Sequence, residues 1–171
     1  MGREIRRVPP NWKHPQKEDR YGRMQDQPMY DQHYDDARRE WIDGLLAWER
    51  GERPEYATKE DGDYWEWQGN PPDRVYYRPW RDEEATWFQL WQTVSEGSPV
   101  SPPFATLDEL AAHLAEHGDD WDRSRGNGGW GIERAKAFCA EGWAPSMAVI
   151  DGRLIEGTAL ALLHAKEKEQ Q

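Results

Sequence analysis

The sequence predicts an α+β fold: a small, mostly antiparallel sheet with helices packed on one face, preceded by an extended N-terminal arm. Three stretches carry that expectation. Residues 87–95 alternate, with Trp87, Gln89, Trp91 and Thr93 on one face and Phe88, Leu90, Gln92 and Val94 on the other, as a half-buried strand requires. Thr106 with Glu109 forms an S/T-x-x-E capping box that opens an apolar-striped helix. Asp151-Gly152, set between two apolar runs, is a strong hairpin signal.

In chain order, residues 1–30 read as an extended basic arm. Pro9, Pro10, Pro15 and Pro28 interrupt any helix, and the first 23 residues hold seven basic side chains against three acidic ones. The remainder, 31–171, reads as a single α+β domain. Tyr34, Ala37, Trp41, Leu45 and Trp48 recur at helical spacing over 31–50, and Gly51 ends the run. Residues 52–82 read as an irregular wrap in which Trp65 and Trp67 share one face of a short extended piece. Over 87–95 a helix is the alternative; the strand is preferred because the segment is short and a Gly-Ser-Pro turn follows. Leu107, Leu110, Ala111 and Leu114 line a helix closed by Gly118, residues 119–131 read as a flexible loop, and 132–141 as a helix ended by Gly142. Residues 147–150 and 153–156 flank the hairpin turn, and a last helix from 158 trails into a charged tail.

A chain of 171 residues fits one domain, the commonest size being about 100–150 residues. Only 36% of it is apolar, yet it carries eleven Trp. Each aromatic ring buries about 150–250 Å², so indole rings, rather than an aliphatic interior, are expected to hold the sheet and helices together. The net charge of −11 disfavours binding to nucleic-acid backbones and favours a partner with a basic surface. Cys139 is the single cysteine, and neither a signal-like apolar segment nor a run of about 18 apolar residues is present. A cytoplasmic location without membrane contact is expected.

Motifs for chemistry are sparse. His113-Leu114-Ala115-Glu116-His117 matches H-x-x-E-H, the inverted zinc-peptidase pattern. His113 and His117 are nevertheless read as solvated histidines at a helix edge, because the helix stops one residue later and no third ligand is evident. Cys139 has no obvious base and reads as an inert thiol. Ser95 and Ser98 lack the G-x-S-x-G elbow, and Gly126-Asn127-Gly128-Gly129 lacks the Lys-Ser/Thr of a phosphate loop. No catalytic residue and no cofactor are therefore assigned. Acidic clusters beside aromatic rings suit a basic protein partner. The candidate binding residues are Trp65, Trp67, Trp80, Asp82, Glu83, Glu84, Asp119, Asp120 and Trp121.

Several motifs in one order resemble those of small acidic, tryptophan-rich proteins encoded in tailed-phage and prophage genomes. They are Arg6-Arg7-Val8-Pro9 with Trp12, Trp65-Glu66-Trp67, Pro71-Pro72-Asp73 leading to Tyr76-Tyr77-Arg78-Pro79, Thr93 to Pro102 with Phe104-Ala105-Thr106, and Gly142-Trp143-Ala144-Pro145-Ser146-Met147. The resemblance implies a phage setting and supplies no catalytic residue. The expected function is that of a phage accessory protein that binds a host defence or nucleic-acid-handling complex without enzymatic activity. The alternatives are a small metal-dependent hydrolase using His113, Glu116 and His117, or a virion or assembly component.

Overall fold

A computed structural model describes residues 2–57, 62–94, 96–150 and 152–169. Its elements in chain order are β1 (Gly2–Val8), β2 (Gln16–Glu18), β3 (Met24–Asp26), β4 (Tyr30–His33), α1 (Tyr34–Glu49), α2 (Tyr64–Gln68), β5 (Tyr77–Arg78), β6 (Trp87–Thr93) and β7 (Ser98–Pro99). There follow α3 (Leu107–His117), α4 (Asp120–Arg125), α5 (Ile132–Glu141), β8 (Trp143–Ala144), β9 (Met147–Ile150), β10 (Arg153–Glu156) and α6 (Gly157–Glu169). The α+β class holds. The expected division into an arm and one domain does not: the chain forms two compact units, Met1–Pro28 with Trp80–Gln171, and Met29–Pro79.

The larger unit is built on an antiparallel sheet of order β7-β6-β1-β8. The expected strand at β6 is present, but its main partner is β1, taken from the presumed arm and paired along its whole length, with Ile5 opposite Leu90 and Arg6 opposite Gln89. Charge made β1 look peripheral; tertiary partners absorb that charge. The Arg6 guanidinium lies 4.5 Å from the Trp91 ring centre and donates to Glu4 and to the Glu96 carbonyl, while Arg3 Nε donates to Asp119 at 2.6 Å. The chain then turns back as the β2–β3 hairpin, closed at its tip by Asp19, whose carboxylate accepts from the amides of Tyr21 and Arg23.

The two faces of the sheet are packed by different chemistry. On one, Leu90 meets α3, α5 and α6 through Leu110, Ala111, Leu114, Ala135, Phe138 and Ala161, all buried, with Ile5 and Phe88 packed against them. Full burial of a Leu or Phe side chain contributes roughly 1.5–3 kcal/mol, and the alanines let the helices approach closely. This core is aliphatic, contrary to the expectation that indoles bind sheet to helices. Trp130 packs on the edge of this core against Phe138, but the buried indoles lie on the other face: Trp91 and Trp80 are buried, and Trp12 joins them, its ring centre 4.4 Å from that of Trp80, with His14 packed edgewise on Trp91 at 5.0 Å. Buried amide and hydroxyl groups are satisfied there, Gln89 donating to the Ser101 carbonyl and accepting from Trp91 Nε1.

The capping box opens α3 as expected, Thr106 Oγ1 accepting from Glu109 N at 3.1 Å and the Glu109 carboxylate from Thr106 N at 3.2 Å. Residues 119–131 are only partly loop, since Asp119 caps the short helix α4 by accepting from Asp122 N at 2.9 Å. The hairpin β9–β10 forms where expected but is a two-stranded sheet of its own, outside the main sheet.

In the smaller unit, α1 is capped by the His33 side chain, which accepts from Asp35 N. Residues 64–68 are helical rather than extended, because the Glu66 carboxylate accepts from Asp63 N and ties off a helix start. Residues two positions apart on a helix, such as Trp65 and Trp67, point to nearly opposite sides. Trp67 therefore stacks on Trp48 at 5.2 Å while Trp65 stays exposed. Strands β4 and β5 pair in parallel, Tyr30 opposite Tyr77. No helix among the described residues is long and apolar enough to cross a membrane.

Candidate functional site

Arg3 of β1, helix α4 with the residues on either side of it, and the open end of the β9–β10 hairpin line a polar cleft of about 280 Å³ in the larger unit. Its geometry follows from local chain chemistry. Gly118, at φ 66°, ends α3, and the following residue, Asp119, is 3% exposed and bonded at once to the helix amide it caps and to Arg3 on β1. The Asp120 amide donates to the Val100 carbonyl, which fixes the first turn of α4 against the sheet. Asp122 in that turn accepts from Trp130 Nε1 at 2.6 Å and from Asn127 Nδ2 at 3.2 Å. With both acids so committed, Trp121 is directed outward over the end of β6, its Nε1 donating to Gln92 Oε1 at 3.0 Å, and it remains 38% exposed.

The opposite wall is the hairpin. Glu156 lies across from Met147 in the register and pairs with Arg134 at 2.7 Å. Arg134 also donates to Thr158. Directly opposite residues of an antiparallel pair face the same side, so Val149 and Leu154 sit together, and they are 69% and 64% exposed. With Met147, which lines the cleft and is 51% exposed, they form an apolar surface next to an acidic, arginine-braced recess. These acids are held by hydrogen bonds and ion pairs to their neighbours, an arrangement suited to presenting a fixed contact surface.

Of the residues singled out in the sequence, Asp119 and Trp121 come together here, although Asp119 is buried and acts as a brace; Asp120 lies outside the cleft lining and pairs with Arg123. Trp80 is 4% exposed, packed on Trp12, and offers no contact surface. Asp82, Glu83 and Glu84 form an exposed turn of 3₁₀ helix. Trp65 and Trp67 belong to the smaller unit, and only Trp65 is exposed. The His113 and His117 rings are 4.9 Å apart, with Phe104 5.0 Å from His113. Burial, then the neighbouring His117 and Arg123, pushes the His113 pKa down against Asp120 and Glu116. Among the described residues no three His, Cys, Asp or Glu side chains are grouped so as to hold a metal ion. Met147, Val149, Leu154 and Glu156 escaped the sequence reading. Their alternation was visible, but it marks a strand without saying which face is covered.

Comparison with protein-family models, with curated proteins and with solved structures returns no match.

Proposed function

We propose that the chain is a non-enzymatic protein-binding module whose contact surface is Trp121, Met147, Val149 and Leu154 beside the acidic cleft. The observation that carries this reading is the apolar face of the β9–β10 hairpin, where Val149 and Leu154 stand opposite one another and exposed. A contiguous exposed apolar surface rimmed by polar groups is characteristic of an interaction site. Its position beside Asp122 and Glu156, on a chain of net charge −11, favours a partner with a basic rim around an apolar groove. In the phage setting that the motif resemblance implies, that partner belongs to a host defence or nucleic-acid-handling complex.

The test is affinity capture from host-cell lysate with the wild-type chain and the double variant Val149→Asp/Leu154→Asp, both substitutions lying on the exposed hairpin face. The expected result is a protein retained by the wild type and lost with the variant, which keeps the wild-type circular dichroism spectrum. The same retained proteins on both, or none on either, would refute the reading.

A further inference from the structure

The smaller unit contains a second recess, of about 270 Å³, whose walls include Trp41, Tyr64 and Tyr77 and whose polar groups include Glu40, Gln68 and Asn70. Local chemistry builds it. Gly44 lies one turn after Glu40 and Trp41 on α1; a Cβ there would sit 2.1 Å from the Tyr64 hydroxyl, so its absence lets the tyrosine lie against the helix. The Tyr64 ring then meets Trp41 edge to face, centres 5.3 Å apart. Trp41 Nε1 donates to the Gly69 carbonyl at 3.1 Å, which orients the indole and fixes the turn that carries Asn70. Tyr77 is held by the β4–β5 pairing and by Tyr30, 5.0 Å away. Gln32 Nε2 donates to one Glu40 carboxylate oxygen at 2.8 Å and fixes its direction.

A carboxylate and side-chain amide carbonyls, in a recess whose accessible lining is mostly polar, match a cation that donates several hydrogen bonds. The surroundings have the same sign. Residues 29–79 hold thirteen acidic side chains against seven basic ones, leaving −6, and Asp36, Glu40 and Asp43 follow one another at helical spacing along α1. The unit already holds arginines of its own elsewhere, with Arg53 4.2 Å from the Trp48 ring centre and Arg74 4.5 Å from that of Tyr34. No described cation lies over Trp41 or Tyr64, and Glu40 has no ion-pair partner among the described residues. The volume falls just short of the roughly 300 Å³ at which pockets for drug-sized ligands begin, a size for one side chain. We infer that this recess takes the guanidinium of an arginine side chain on a partner protein, its fork on the Glu40 carboxylate and its remaining N–H groups on the side-chain carbonyls of Gln68 and Asn70. Arginine fits better than lysine because a planar, weakly hydrated ion with five donors can bond in parallel to a carboxylate and reach the amides beside it. The inference rests on the protein-binding reading for the source of the cation, and on separate residues for its site.

The test is titration of the ¹⁵N-labelled full chain with acetyl-Gly-Arg-Gly-amide, its citrulline analogue and its lysine analogue. The Trp41 indole N–H, identified with Trp41→Phe, and the Gln68 and Asn70 side-chain amides are followed. One side chain warrants a dissociation constant of about 1 mM. The expected result is saturable shifts of these signals with the arginine peptide and at least tenfold weaker binding of the citrulline peptide. Glu40→Gln, whose unfolding midpoint should match wild type, should bind the arginine peptide at least tenfold more weakly too. Equal binding of the arginine and citrulline peptides would overturn the inference, as would absence of shifts at 20-fold that concentration (about 20 mM), or saturation by a neutral methyl glycoside instead. Val149→Asp/Leu154→Asp should leave the titration unchanged, which separates failure at the hairpin face from failure here.

Discussion

Gly129→Ala is expected to destabilise the larger unit by about 3 kcal/mol, although it adds one methyl group to what the sequence reads as a loop. A Cβ at this position would lie 2.1 Å from the Ala115 carbonyl oxygen and 2.5 Å from the Glu116 carbonyl carbon. Both are backbone atoms of the last turn of α3 and have little room to move. Relief must come from the loop, which would lose the bonds from Trp130 N to Leu114 O and from Gly131 N to Ala115 O. Each is worth about 1 kcal/mol net. The Trp130 ring, edge to face with Phe138 at 5.5 Å, would be withdrawn at a further cost of about 0.5–1.5 kcal/mol. Gly128→Ala is the control. Its φ of +76° carries left-handed strain, but nothing lies within 4 Å of an added Cβ, so the cost is about 1 kcal/mol. Urea unfolding followed by near-ultraviolet circular dichroism reads the difference. With a slope near 2 kcal/mol per molar, the midpoints should fall by about 1.5 M and about 0.5 M respectively. A Gly129→Ala shift no larger than that of Gly128→Ala would refute the claim that the loop is pressed against the helix end.

Two further outcomes follow from buried titratable groups. Burial, and secondarily Arg6, pushes the His14 pKa down against the Gln27 carbonyl and Asp26; His113 is also lowered. The unfolded chain then binds more protons than the folded one below about pH 6.5, so stability is full above that value and declines on acidification. Urea midpoints should fall between pH 7 and pH 5, a window above the carboxylate range, and fall less in His14→Gln; a rise on acidification would contradict this. The Cys139 thiol, 7% exposed, is pushed up to about 12 by burial and then by Asp108. It should react slowly with a chromogenic disulfide reagent at pH 8 and fast once the chain is unfolded, and equal rates would contradict its burial.

The elements legible in the sequence are those whose signal lies within a few residues. The Thr106–Glu109 box, the alternation over β6, Gly142 after α5 and the paired runs β9 and β10 each specify a local geometry, and each is present, Asp151 itself lying outside the described residues. Two further signals are as local: Asp63 with Glu66 marks the start of α2, and Asp119 with Asp122 that of α4. The binding residues divide on the same line. Trp121 lies on a short helix held outward by Gln92 and is exposed, whereas Trp80 meets Trp12, far away in sequence, and is buried.

The sequence by itself determined the α+β class, the caps, the principal strand and the acidity of the surface, because propensity, capping and charge act over one or two turns of chain. Only the tertiary structure decided that β1 lies inside the sheet, that leucine and alanine line one of its faces and indoles the other, and that Val149 and Leu154 are left uncovered. The reason is physical: strand pairing and burial depend on what the remote chain brings alongside. Arg6 belongs to a basic arm until Trp91 lies against it, and the alternation at Val149 leaves its covered face open until the fold leaves Val149 bare.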